Sequence, residues 1–269
     1  MKNLNLKLIL SVSLLNLVSL SANSAEWPSG DEIARNINAR DEGVAVSRKL
    51  RMEMTDRHGK VRVRETQAFR KYYADEKRTV IFYLAPKNIK NTAFLTYDYA
   101  DNAQDDDQWL YLPAMRKVRR ISASDRGDYF LGTDFSFEDI KLETRVSLDD
   151  YTRKTIGEDT VGGVHCYVVE ETAITPEIAE ELGHSRRESC VDDKRWIALR
   201  SKAWDTQDKP LKTTYFKDIS PVQGILTTHT MEVENHKTGH KTRFNFSEVN
   251  YENGVNDQVF TKNALKRGL

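Results

Sequence analysis

The feature that most constrains this chain is an alternation of period two, repeated in run after run from residue 47 to residue 251. In SRKLRMEMTD, Leu50, Met52 and Met54 fall on one side and Arg51 and Glu53 on the other. After a turn at Arg57-His58-Gly59-Lys60, VRVRETQAF sets Val61 and Val63 against Arg62 and Arg64. Side chains of an extended chain point to its two faces in turn, so this pattern encodes strands rather than helices. Further strands fit TVIFYLA (79–85), TAFLTYDY (92–99), QWLYLP (108–113) and RKVRRIS (116–122). The second half continues with DDYTRKTIG, GVHCYVVEE, RESCVDD, RWIALRSKAW, PLKTTYFKDI, ILTTHTMEVEN and KTRFNFSEVNY, joined by turn-like DTQDK (205–209) and HKTGH (236–240). Short helical patterns are few: 31–40 with Ser29 or Asp31 as N-cap, 174–183 with Thr175 capping and Pro176 at the first position, and a closing segment at 256–267. About a dozen antiparallel strands and two or three short helices predict a mainly β fold, a large curved sheet or open barrel.

Residues 1–25 read as a secretory signal peptide. Lys2 and Lys7 precede an apolar run from Leu8 to Leu20, and small residues follow in SANSA (21–25). The run is broken by Ser11, Ser13 and Asn16 and is short for a bilayer span. An exported chain in a bacterial periplasm is expected, with residues 26–269 as a single domain, because no linker, repeat or low-complexity tract divides them. The 41 basic and 41 acidic residues balance, and losing 1–25 removes two lysines, which leaves a net charge near −2. A nearly neutral exported chain is poorly suited to nucleic acid despite its KVRR cluster, so no nucleic-acid partner is expected.

Catalytic templates are missing from the sequence. The histidines at 58, 165, 184, 229, 236 and 240 complete no metal set at familiar spacing, and neither a nucleophile elbow nor a phosphate-cradling glycine loop is present. DNAQDDD (101–107) is rich in oxygen ligands but lacks the central glycine of a calcium loop, and reads as a solvated hairpin tip. Arg126-Gly127-Asp128 spells an adhesion tripeptide that chance produces often. Glu138/Asp139 and Asp149/Asp150 are adjacent, hence on opposite faces if extended. The expectation is a non-enzymatic protein with neither metal nor cofactor. Cys166 and Cys190 sit in two neighbouring predicted strands, VHCYVVEE and RESCVDD; they are either bridged or two separate thiols, and an oxidising compartment favours the bridge.

One face of the strands is unusual for its large, soft or aromatic residues: Met52, Met54, Phe82, Phe94, Trp109, Tyr111, Phe135, Phe137, Trp204, Tyr215, Met231, Phe244 and Phe246. An ordinary core would use more Val, Leu and Ile. Met and aromatics suit a surface that adapts to a variable apolar guest.

The segment DDQWLYLPAMRKVRRISASDRGDYFLGTDFSFEDI, residues 106–140, resembles the signature of the outer-membrane lipoprotein-sorting proteins, relatives of the periplasmic carrier LolA. In that family a W-L-Y-L-P segment leads through a basic R-x-V-R-R-I strand to a G-[ST]-D-F-[ST]-[YF]-E-D motif, here Gly132 to Asp139. The RHGKVRVRE hairpin (57–65), APKNIKNTAFLTY (85–97) and DQVFTKNAL (257–265) fit as well, although the family often has glycine where this chain reads Lys90-Asn91. The resemblance implies an incomplete antiparallel barrel around a helix-covered apolar cavity. It further implies a monomeric carrier of lipid or lipoprotein acyl chains, associated with inner-membrane exporters of the resistance-nodulation-division type. Trp109 and Tyr111, or Leu110 and Leu112 on the other face, are then expected on the cavity wall. Arg116, Lys117, Arg119 and Arg120 are expected either to meet an anionic head group or acidic partner, or to pair with Asp125, Asp128, Asp134, Glu138 and Asp139 and pin the loop. A lipid sensor and a purely structural exporter subunit are the other classes compatible with the sequence.

Overall fold

The computed structural model describes residues 27–100, 104 and 106–269. The signal-peptide segment lies outside them, as do Asp101–Ala103 and Asp105 of the hairpin tip. Thirteen strands form one antiparallel sheet: β1 (Ala45–Thr55), β2 (Val61–Tyr72), β3 (Glu76–Ala85), β4 (Ala93–Tyr99), β5 (Asp107–Leu112), β6 (Lys117–Ile121), β7 (Tyr151–Val161), β8 (Val164–Ala173), β9 (Arg186–Asp192), β10 (Ala198–Trp204), β11 (Pro210–Val222), β12 (Ile225–Asn235) and β13 (Lys241–Asn250). Their order is β6-β5-β4-β3-β2-β1-β13-β12-β11-β10-β9-β8-β7, so every pairing joins consecutive strands except that of β1 with β13. The sheet curves as an incomplete barrel and does not close, leaving β6 and β7 at its two edges.

This order dictates the rest. Because β6 and β7 are consecutive in the chain but at opposite edges, residues 122–150 must cross one face of the sheet to join them. That crossing segment, the cover, defines the inner face and carries the short helix α2 (Phe137–Leu142). Phe135 and Phe137, which the alternating pattern suggests are strand residues, belong to the cover instead. They meet Leu50, Met52, Ile81 and Phe94 of the sheet in the main apolar cluster.

The other helices lie where their apolar stripes find partners. α1 (Gly30–Asn38) is capped by Ser29, whose Oγ accepts from the Glu32 N–H at 3.2 Å, and it buries Ile33 and Ile37 on Val169 and Val191. α3 (Pro176–Leu182) is capped by Thr175 as its sequence predicts. The predicted closing helix is shorter than its pattern: a single turn at Asp257–Val259 precedes α4 (Lys262–Arg267), because extended Thr261 interrupts the run to cap α4. α4 lies on the outer face, where Phe260, Ala264 and Leu265 cover Val80, Phe82, Leu95 and Trp109.

Cys166 and Cys190 are bridged across β8 and β9, with Cα atoms 5.4 Å apart. Closing a loop of this length stabilises a chain by about 3 kcal/mol on the chain-entropy account. Asn91, where the family often has glycine, sits at φ 68, a left-handed conformation that asparagine tolerates better than most residues.

Candidate functional site

The motif Gly132–Asp139 lies in the cover, and its polar groups fasten the cover to the sheet. Asp134 accepts from Thr242 Oγ1 of β13 at 2.7 Å and from Asn235 Nδ2 of β12 at 3.1 Å, while its own N–H donates to Thr242 Oγ1 at 3.0 Å. The Phe135 ring stacks on Phe244 with centroids 4.2 Å apart. Ser136 and Asp139 form a reciprocal capping box at the start of α2, and Asp139 also pairs with Lys212 of β11. Burial would raise the Asp139 carboxyl, but the Lys212 charge and its hydrogen bond hold it below the ordinary range. Glu138 is buried with Lys141 Nζ at 3.0 Å, and here burial wins over the Lys141 and Arg126 charges and pushes the carboxyl up. Gly127 of the Arg-Gly-Asp tripeptide has a packing reason: a Cβ there would come within 2.4 Å of the Leu182 backbone in α3.

Between cover and sheet lie two adjoining cavities of about 890 and 650 Å³, counting the parts open to solvent. The first is walled by Ile33 and Ile37 of α1 with Val169, Val191 and Phe216. The second is walled by Leu50, Ile81, Ile140, Phe244 and Phe246. Phe135, Asp139, Glu143, Thr144 and Met231 border both.

The walls are not uniformly apolar. Glu171 of β8 accepts from Arg153 Nε at 3.1 Å and from Arg187 Nε at 2.7 Å, and Tyr151 is hydrogen-bonded to His184 at 2.9 Å. Beside the second cavity, Glu42 and Glu143 meet Arg48 and Arg70. Burial would raise the Glu42 carboxyl, but the Arg70 charge and hydrogen bonds from Thr144 and Tyr72 hold it far below its ordinary value. Such fixed pairs offset the cost of burying charge. The lining is therefore apolar over most of its extent and charged at a few fixed points.

The residues expected on the cavity wall are divided by the sheet. Met231, Phe244, Phe246 and Phe135 line the cavities. Met52, Phe94 and Phe137 pack in the adjoining apolar cluster, and Met54 is buried opposite Thr242. Phe82, Trp109 and Tyr111 are on the outer face under α4, and of the two alternatives for β5 it is Leu110 and Leu112 that face inward. Trp204 is stacked under the Arg186 guanidinium, 3.7 Å from its ring centre, and borders neither cavity. Arg116, Lys117, Arg119 and Arg120 are exposed on and beside edge strand β6. Arg120 pairs with Asp107, and three of the five acids expected to pin this cluster bind elsewhere: Asp134 to Thr242 and Asn235, Glu138 to Lys141, Asp139 to Lys212.

The buried charges were not singled out from the sequence. A signal for them exists in the pairing of EETA on β8 with RRES on β9, where Glu171 stands opposite Arg187 on the inward parity.

The model of a family of uncharacterized proteins matches residues 75–267. No curated protein matches the chain. Among solved structures, a DUF1329 family protein from Desulfovibrio piger is 29% identical, with a TM-score of 0.79 over 88% of this chain and 97% of its own. A domain from Vibrio parahaemolyticus assigned to outer membrane lipoprotein sorting is 26% identical, with a TM-score of 0.79 over 88% of this chain and 98% of its own. A LolA superfamily protein from Nitrosomonas europaea shares the fold at 16% identity, with a TM-score of 0.66 over 88% of this chain and 100% of its own.

Proposed function

The chain belongs to the DUF1329 family, and on that premise we propose that it is a non-enzymatic periplasmic carrier of lipid or of the acyl chains of lipoproteins. The observation that carries the reading is the pair of adjoining cavities under a cover fastened by polar contacts, with Phe135, Met231, Phe244 and Phe246 on their walls. The lipoprotein-sorting assignment of the Vibrio relative supports it.

The physics of such a carrier is simple. An acyl chain of about 14 methylenes left in water costs roughly 11 kcal/mol at about 0.8 kcal/mol per CH₂. A soluble shuttle must cover most of that surface and still let go. Release then requires the cover to loosen, breaking its polar contacts to the sheet and exposing part of its apolar side, a local opening distinct from global unfolding. Within this reading residues 26–269 act as one monomeric domain, exported by the segment 1–25. The exposed cluster Arg116, Lys117, Arg119 and Arg120 then serves as the contact with an acidic partner surface, such as an inner-membrane exporter of the resistance-nodulation-division type, or with membrane head groups.

The test is native mass spectrometry of the mature protein, followed by organic extraction of whatever it releases. An acyl-chain species is expected, and its occupancy should fall in Met231→Glu and in Phe246→Gln. The second variant alters a half-buried side chain and keeps the test usable if the first does not fold. A protein that stays empty when purified from lipid-rich cells and when offered lipid afterwards would overturn the carrier reading and favour a structural exporter subunit.

A further inference from the structure

One corner of the site holds more positive charge than negative. Arg48, Arg70, Glu42 and Glu143 line the second cavity, and Arg145 with Glu143 lines the first. Arg70 Nη1 lies 2.9 Å from Glu143 and 3.5 Å from Glu42, Arg48 pairs with Glu143, and Arg145 and Arg40 reach Glu42 at 3.2 and 3.5 Å. Four guanidinium groups therefore share two carboxylates. The neighbouring cation Lys77 is matched separately by Asp98 at 2.8 Å. The side chains of Arg40, Arg48 and Arg70 are 9%, 13% and 4% exposed. Buried charges ordinarily come in balanced sets, because an unmatched one forfeits its hydration for nothing. Arg145 is partly exposed and so partly hydrated, which leaves Arg40, Arg48 and Arg70 against Glu42 and Glu143: among the described residues the buried part of this corner lacks one negative charge.

Three further features point the same way. The Nε–H groups of Arg40 and Arg70 are buried with no hydrogen-bond partner among the described residues. Arg48 lies 4.5 Å from the centre of the Phe246 ring, so the cationic corner runs directly into the apolar wall. Glu143, which stands between the two cavities, is held at φ 58 and ψ −102, a conformation costly for any residue with a Cβ and one that persists where surroundings impose it.

We propose that this corner is an anion subsite, and that the cavity takes an amphiphile with a carboxylate or phosphate head and a single acyl chain lying over Phe246, Phe244, Met231 and Phe135. The proposal rests on the carrier reading and narrows it. The acyl end of a lipoprotein presents esters and amides but no anion, so it would satisfy the apolar wall and leave the corner unbalanced. A free anionic lipid satisfies both.

Three probes with one palmitoyl chain each decide the matter when titrated calorimetrically into the delipidated mature protein, below their micelle concentrations. They are palmitate (a carboxylate), palmitoyl-lysophosphatidate (a phosphate) and monopalmitoylglycerol (neutral). Both anions are expected to bind about tenfold or more tightly than the neutral probe, the worth of one charge-assisted hydrogen bond. Arg145→Gln and the double variant Arg48→Gln/Arg145→Gln should bring the anions toward the neutral affinity. Arg145 is chosen because its side chain is 30% exposed, so its replacement should fold. If neither variant folds, the comparison of the three probes on the unaltered protein still decides. The ratio of the two anionic affinities separates a carboxylate from a phosphate source. Equal affinity for all three probes would overturn the anion subsite and leave the carrier reading standing, whereas binding of none would overturn the carrier reading itself.

Discussion

His184 offers a direct test of the buried charge arrangement through pH. Its Nδ1 lies 3.1 Å from the Leu182 carbonyl, which can only accept, so Nδ1 carries the proton and Nε2 accepts from the Tyr151 hydroxyl at 2.9 Å. That is a neutral imidazole. Burial, reinforced by the Arg187 and Lys212 charges, lowers its pKa from 6.5 to about 4. In the unfolded chain the ring takes a proton near 6.5, while in the folded protein it stays neutral until about 4. Stability is therefore unaffected by this residue well above pH 7, falls as pH drops through the interval between the two values, and levels off below it. The full loss is about 3 kcal/mol, somewhat less than half of which appears by pH 5.5. Urea unfolding of the protein and of His184→Gln at pH 7.5 and 5.5 isolates the effect, since all other titrating groups are common to both chains. The unaltered protein should lose about 1 kcal/mol more than the variant between the two pH values. Equal losses would refute the argument, because the folded imidazole would then not be held neutral.

Three further outcomes are expected. Asp134→Ala strips Thr242 and Asn235 of their acceptor and should cost roughly 2–4 kcal/mol in denaturant unfolding, with faster amide exchange along the cover. Cys166→Ala should lower stability by about 3 kcal/mol, and reduction of the unaltered protein should do the same. Trp109→Ala should destabilise by roughly 3 kcal/mol through the cavity it leaves under α4, yet leave lipid occupancy unchanged because the ring is on the outer face.

The strands were legible because Leu50, Met52 and Met54, or Phe244 and Phe246, repeat with the period of an extended chain. Which face each strand turns inward was less so. On β2 the inward residues are Arg64, Thr66, Ala68 and Arg70, while Val61 is 53% exposed on the outside. Alternation reads a strand correctly but does not tell which face is inward when that face carries buried arginines and threonines. Trp109 and Phe82 were misplaced for a related reason: α4 gives the outer face a second apolar layer, so both faces of β3 and β5 are buried and hydrophobicity no longer distinguishes them. Phe135 and Phe137 have a spacing of two, as on a strand, but Ser136 and Asp139 between and after them form a capping box. That local signal, rather than the apolar pattern, identifies α2.

The order of the strands has a kinetic consequence. The meanders β1–β6 and β7–β13 consist of neighbours along the chain, each pairing closed locally, the longest connection being the one between β8 and β9 that carries α3. The single pairing of β1 with β13, in which Leu50 meets Phe246, brings together positions roughly 200 residues apart, and by polymer scaling that closure costs about 2 kcal/mol more than a hairpin of about 15 residues. Two independently assembled half-sheets that dock along one late seam are the expected route, with the unfolded chain's slowest productive step at β1 and β13. Opening the chain within residues 122–150 and joining its natural ends would remove none of the hairpins, and separate fragments carrying the two meanders should find one another along the same seam.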